Sequence, residues 1–393
     1  MNSSKKTISK SLDRPEHGLL LCCVRTRLSP AVIDRLRELS TAIIDWDYLF
    51  ELARRHSVVP LLYRQLQSHA SDLVPPAVMK RLRLQYQENS ARNAVLSAEL
   101  CRLVQLFARS GIEAIPYKGP LLGLVAYGDV SLRRFVDLDI LVRKNDVLPA
   151  RDLMLQEGYE PTKSLSLTQQ EVLLRTQHNL QFARDQRRLI VELHWEVATR
   201  LFASSVQTDD LWNNLDSVEL NGTWLKTLAV DDLLFSLCVH GSRHLWERLS
   251  WICDVAELIS RQELNWPTLL ERAASTDNER MFLLGLSLAA DLLEAPLPTE
   301  VKQRCDADDR LPALSKNIVA HLFNGTRHVP ASSREIFDYN IGVRKSWSSR
   351  ARYFVYMLRP TDSDLQDHAV PSGFAFVYYL TRPFRLLLQN RER

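Results

Sequence analysis

Apolar residues recur every three or four positions from about Pro30 to Ser110: Leu36, Leu39 and Ile43, then Leu49 and Leu52, and later Val95, Leu96, Leu100, Leu103 and Leu106. That period belongs to helices with one inward face, so residues 16–110 read as a helical region behind a polar, basic tail at 1–15. The period changes at Gly111. Ile112–Tyr117 reads as a short buried strand, and Lys118-Gly119-Pro120 opens a helix to about Tyr127, with Pro120 in the first turn, where its missing N–H costs nothing. Asp137–Val142 alternates, with Asp137 and Asp139 on one face and Leu138, Ile140 and Val142 on the other. A helix follows from about Asp146 to Glu157, with Gly158 placed to cap its end.

His178–Arg184 and Leu189–Trp195 flank the polar stretch Asp185–Arg188 and predict a hairpin. A smaller one, Ser217–Leu220 with Thr223–Thr227, turns at Asn221-Gly222. Beyond it the pattern is mostly helical, with Asp231 and Asp232 placed to cap the first helix. The expected fold class is α+β: a small mixed-sheet core at 111–228 flanked by N-terminal and C-terminal helical domains, the second over 229–360. An amphipathic segment closes the chain at 361–393. Within it Phe374, Phe376, Tyr378, Tyr379 and Phe384, with Arg382 and Arg385, suit peripheral membrane or protein docking, or else a helix packed on the body. Its length and Pro383 rule out a bilayer span.

Composition narrows the classes. In 393 residues, 46% of them hydrophobic, the chain can bury two or three ordinary cores. Fifty Lys+Arg against 47 Asp+Glu give a net charge of +3, too balanced for a protein that covers a long nucleic acid. The cysteines, Cys22, Cys23, Cys101, Cys238, Cys253 and Cys305, show no CxxC or Cys/His ligand spacing, which argues against structural zinc or a disulfide framework and fits a reducing cytoplasm. Leu19–Val24 is about a third of a membrane span and is followed by no signal-peptide cleavage pattern. A cytoplasmic location is expected.

The chemistry centres on the acids. Alternation puts Asp137 and Asp139 on one side of a strand, roughly 6–7 Å apart, where they can converge on divalent ions. Nucleotidyl and phosphoryl transfer use such pairs: Mg²⁺ takes oxygen ligands and keeps phosphate in its shell, and paired ions steady the attacking and leaving oxygens. Asp-x-Asp is a common tripeptide, but an acid pair on an otherwise apolar strand must reach solvent or meet cations. Val191–Trp195 offers a third carboxylate, Glu192, with His194 on the same face as a candidate to orient it. Lys118 and Gly119, between strand and helix, suit a phosphate through charge and close backbone approach. Arg133 is a further phosphate candidate, with Arg134 the competing choice. His240 and His244 share a helix face, but Gly241 stands where a zinc-protease glutamate would be; core packing is the plainer reading, and His244 or Arg243 could instead touch the acceptor. His178 and His56 read as structural.

Taken together, Tyr117-Lys118-Gly119, Tyr127, Arg133, Asp137–Val142, Gly158-Tyr159, His178 and Glu192–Trp195 resemble the uncharacterised nucleotidyltransferase family of the polymerase-β-like superfamily. The resemblance extends to Ala53–Tyr63 and to His240, His244, Trp246, Leu249, Trp251 and Asp254, covering about residues 20–330. It implies a minimal nucleotidyltransferase fold among bacterial proteins, with Asp137 and Asp139 binding metal and Glu192 completing the site. The wider superfamily places Gly-Ser at the helix start; here Lys118-Gly119 lacks the serine contact to phosphate.

The expected function is therefore transfer of a nucleoside monophosphate from a nucleoside triphosphate, with Mg²⁺ or Mn²⁺, to a hydroxyl of an unidentified small-molecule, sugar or protein acceptor. Its rivals are kinase-like transfer of the terminal phosphate and a catalytically silent nucleotide-binding scaffold.

Overall fold

The structure is a computed structural model, and it describes residues 13–163, 167–198, 202, 208–327 and 329–359. The C-terminal segment expected to dock a membrane or partner lies outside the described residues. The chain divides into two compact units, one of residues 1–98, 118–135 and 229–331, the other of residues 99–117, 136–228 and 332–393.

The first unit is helical among its described residues. It contains α1 (Pro15–Cys23), α2 (Pro30–Ser40), α3 (Trp46–Arg55), α4 (Val59–His69) and most of α5 (Pro76–Arg109). It then takes in the short α6 (Gly119–Leu122), continued as a π turn over Gly123–Tyr127. Later come α10 (Val230–Arg243), α11 (Leu249–Arg261), α12 (Trp266–Ser275), α13 (Glu279–Leu293), α14 (Thr299–Asp306) and α15 (Leu311–Leu322). The apolar run Leu19–Val24 lies in and just after α1, buried on all sides, as a helix without a polar face must be. Trp246, wholly buried, organises the later helices. A Cβ at Gly241 would sit 2.4 Å from its ring, and one at Gly285 3.0 Å, so both positions require glycine. The residue between His240 and His244 is thus a packing device.

The second unit holds a five-stranded mixed sheet: β1 (Ala114–Pro116), β2 (Leu138–Val142), β3 (Glu160–Pro161), β4 (Asn179–Arg184) and β5 (Leu189–His194), ordered β1-β2-β5-β4-β3. Only β2 and β5 pair in parallel; the other neighbours are antiparallel. Leu138, Ile140, Val142, Val191, Leu193 and Trp195 are all buried, the apolar face that alternation predicts. The hairpin turns with positive φ at Asp185, Gln186 and Arg187. The helix after β2 is α7 (Val147–Gln156), and Gly158 beyond it is left-handed at φ 77°, as its capping place requires. A separate two-stranded ribbon, β6 (Leu215–Leu220) and β7 (Thr223–Leu228), turns at Asn221 and Gly222 with φ 52° and 76°. The unit also contains α8 (Leu167–Thr176), α9 (Thr208–Leu211), α16 (Ser333–Gly342) and α17 (Trp347–Met357).

One capping expectation is corrected. The helix starts at Val230 with Ala229 as its N-cap, so Asp231 and Asp232 fall inside its first turn and neither is the cap. Asp231 instead accepts from the Asn265 N–H at 3.1 Å, and Asp232 pairs with Arg272. Among the described residues no helix is long and apolar enough to cross a membrane.

Candidate active site

The register of β2 against β5 builds the site. Asp139 lies directly beside Glu192, and Leu141 beside His194. In a parallel pair, neighbours in register are about 4.8 Å apart and their side chains share a face, so Asp139 and Glu192 project together. His194, two residues after Glu192, shares that face. Its Nε2 lies 3.1 Å from Asp139 Oδ1 and 3.2 Å from Glu192 Oε2. The Asp139 and His194 side chains are 7% and 3% exposed and Glu192 is 22% exposed, which leaves Glu192 as the acid with access to solvent.

The neighbouring strand steadies Glu192. Gln181 pairs with Glu192 in the β4–β5 register and Asn179 with His194. Asn179 Nδ2 donates to Glu192 Oε2 at 2.8 Å, and Gln181 Nε2 donates to Oε1 at 3.0 Å. Both carboxylate oxygens are thereby oriented. The sequence reading missed these two amides, although counting inward from the turn would have found them. Closing the hairpin between Arg184 and Leu189 sets 181 opposite 192 and 179 opposite 194.

Burial alone pushes the His194 pKa down, but hydrogen bonds to Asp139 and Glu192 and their charges outweigh it, and the net shift is upward. Tyr117 meets the His194 ring edge-on at 5.6 Å between centroids, and His178 lies 5.7 Å away. Ligand atoms of Asp139, Glu192 and His194 fall within 4.8 Å of one another, and no other group of three such side chains does so among the described residues. Two carboxylate oxygens suit a hard divalent cation, and an imidazole nitrogen is accepted by Mn²⁺ more readily than by Mg²⁺. The donor set fits a divalent ion. Asp137 lies one residue before β2, half-buried and outside this group.

The phosphate candidates belong to the first unit. Gly119 is left-handed at φ 54°, a conformation that favours glycine; Lys118, half-buried, is the N-cap residue of α6, and its side chain is not the capping group. Arg133 makes a two-pronged pair with Asp254, Nε to Oδ1 at 2.9 Å and Nη2 to Oδ2 at 3.0 Å, and its Nη1 reaches the Gly119 carbonyl at 3.5 Å. Tyr127 also donates to Asp254, at 2.7 Å. Asp254 thus ties the turn around residues 119–133 to α11, a partnership 121 residues long in sequence. His240, His244 and Trp251 form one ring cluster, with centroids 4.6 to 5.3 Å apart, beside the half-buried Arg243. His56 is wholly buried. Its Nε2–H donates to the Leu322 carbonyl at 2.9 Å, and its Nδ1 accepts from the Leu249 N–H at 3.2 Å.

A family model described as uncharacterised nucleotidyltransferase matches residues 43–294, a span that holds Lys118, Gly119, Arg133, Asp137, Asp139, Glu192, His194, Arg243 and His244. No curated protein matches the chain. Among solved structures, the chain is similar to an antigenic nucleotidyltransferase-like protein from Paracoccidioides brasiliensis, at 13% identity and a TM-score of 0.32, over 53% of this chain and 94% of that one.

Proposed function

The chain belongs to the uncharacterised nucleotidyltransferase family, and on that premise we propose that it moves a nucleoside monophosphate from a nucleoside triphosphate, with Mg²⁺ or Mn²⁺, to a hydroxyl of a small-molecule, sugar or protein acceptor. The observation that carries this reading is the side-by-side placement of Asp139 and Glu192 on parallel strands, with His194 Nε2 against both. Asp137 and Asp139 would hold the ion, with Glu192 as a further ligand or as the base. A divalent ion bound there supplies positive charge to the phosphate oxygens as negative charge develops.

In the transfer, the acceptor oxygen bonds to the α-phosphorus, the bond to the bridging oxygen breaks, and pyrophosphate leaves. The hydroxyl proton passes to a carboxylate, and Glu192 is the choice because it is the more exposed of the two acids. Asn179 and Gln181 keep its oxygens aimed, and His194 orients both acids. Lys118 neutralises phosphate charge and Gly119 admits the chain's backbone close to it. Arg133, braced by Asp254, holds their turn through the Gly119 carbonyl. Arg243 and His244 serve the acceptor.

The test uses ATP labelled at either the α or the γ phosphorus, with Mg²⁺ or Mn²⁺ and a cell extract as acceptor source. Transfer of α label with release of pyrophosphate, lost in Asp139→Asn, is expected. Transfer of γ label alone would replace this reading with a kinase, and turnover unchanged in Asp139→Asn would remove the metal-site assignment.

A further inference from the structure

Arg133 and Arg134 are adjacent in the chain and differ in what meets them. Arg133 is spent on Asp254. Arg134 is half-buried, and among the described residues neither a hydrogen bond nor an ion pair reaches it.

Hydrogen bonds within the first unit fix what surrounds it. Asn93 Nδ2 donates to the Arg133 carbonyl at 2.8 Å, which joins α5, the helix that also carries Arg92, to the stretch that carries residue 134. The Arg133–Asp254 pair brings in α11, which Arg248 precedes. The Leu249 N–H on His56 Nδ1 draws in the end of α3 and with it Arg54. Arg54 is exposed and bonded to Glu51 at 2.7 Å, and Arg248, also exposed, lies 5.8 Å over the Trp251 ring. Separate elements thus deliver arginines to one place. Their effect on Arg134 has a single sign: burial first, then Arg92, Arg248 and Arg54, all push its pKa down, and no carboxylate counters them. A half-buried cation among like charges weakens a fold, so packing does not explain why it is there. An anion from solution does.

We propose that Arg134, with Arg54, Arg92 and Arg248 around it, binds the phosphate chain of a di- or triphosphate ligand. Guanidinium forks match phosphate oxygens two at a time, and several forks from separate elements suit an anion with several charged oxygens better than a single carboxylate. None of these residues belongs to the carboxylate cluster, so the site stands whether or not that cluster transfers a nucleotide.

The experiment titrates tripolyphosphate into the full chain at low ionic strength, in wild type, Arg134→Gln, Arg248→Gln and, as a control, Arg83→Gln, an exposed position on α5. Wild type and Arg83→Gln bind alike, and Arg134→Gln and Arg248→Gln each weaken binding about tenfold or more. Without ligand, Arg134→Gln unfolds no earlier than wild type, because an unpaired cation has been removed. Asp139→Asn leaves tripolyphosphate binding unchanged, which separates this site from the proposed transfer centre. Competition by Mg-ATP assigns the phosphate chain to the nucleotide, and simultaneous binding assigns it to a phosphorylated acceptor. No binding by wild type, equal weakening in Arg83→Gln, full affinity in Arg134→Gln, or loss in Asp139→Asn would overturn the proposal.

Discussion

Two histidines, each at most 3% exposed, show how differently the two units use a buried imidazole. In the helical unit His56 has a backbone partner on each nitrogen, which satisfies the neutral ring completely. Burial first, then Arg55, lowers its pKa to about 3. In the sheet unit His194 turns Nε2 toward two carboxylates, whose bonds and charges raise its pKa against the effect of burial, while its Nδ1 is buried without a hydrogen-bond partner among the described residues. The same contrast holds for the acids. Asp254 is closed by a bidentate guanidinium and a tyrosine hydroxyl, a finished arrangement that a protein keeps for its shape. Asp139 and Glu192 both meet the His194 Nε2, an arrangement that a divalent ion would complete. Buried charge closed by arginine marks architecture, and paired carboxylates that meet one imidazole mark chemistry.

The sharpest way to break this comparison is to exchange the consequences of removing one charge from each cluster. Asp139→Asn, which keeps size and loses a metal-binding charge, is expected to lower metal-dependent turnover by about a thousandfold while its urea midpoint stays near wild type. Arg133→Met is expected to do the reverse in kind. Stranding Asp254 costs about 3–5 kcal/mol of folding stability, read from the same urea curves, and Arg133→Met with Asp254→Leu recovers most of it. Equal destabilisation by Asp139→Asn and Arg133→Met would erase the distinction.

A second test follows the pH response of His56. Its folded pKa is depressed, so below its ordinary value near 6.5 the unfolded chain takes up a proton that the folded chain refuses until about pH 3. Folding stability from this group is present above pH 6.5 and falls as pH drops toward 3, by about 1.4 kcal/mol per unit. Between pH 6.5 and 4.5 the stability gap between wild type and His56→Gln should narrow by about 2–3 kcal/mol; a gap independent of pH would show that His56 takes up its proton as readily in the fold as in the unfolded chain. The smallest expected effect concerns the amides. Gln181→Ala or Asn179→Ala should weaken Mn²⁺ affinity about 10- to 100-fold, as loss of an orienting partner does, in calorimetry that needs no substrate.

Much of the site was legible because alternation states which face a strand residue takes. Asp139, Glu192 and His194 could be placed on one side of their strands, opposite Leu138, Ile140, Val191 and Leu193, without coordinates. Alternation does not say which strands are neighbours, and the parallel pairing that sets Asp139 beside Glu192 had to come from the structure. The β3 edge strand, Glu160–Pro161, is too short to show any period. The Arg133–Asp254 pair joins residues 121 apart, and local pattern carries no signal at that distance. The capping role expected of Asp231 and Asp232 failed because the helix begins before them, at Val230, and a helix boundary is the least certain part of a local pattern.

The most direct measurement is thermal unfolding of wild type, Asp137→Asn and Asp139→Asn with each nucleoside triphosphate, with and without Mg²⁺ or Mn²⁺. A ligand at 100 times its Kd adds about 2.7 kcal/mol to the folded state, enough to read as a shift of several degrees. A stabilisation that requires both nucleotide and metal and disappears in Asp139→Asn is the predicted result. A nucleotide-dependent shift of equal size in Asp139→Asn, or none in wild type with any nucleotide and metal, would contradict the assignment of the carboxylate pair as a metal-dependent nucleotidyl-transfer centre.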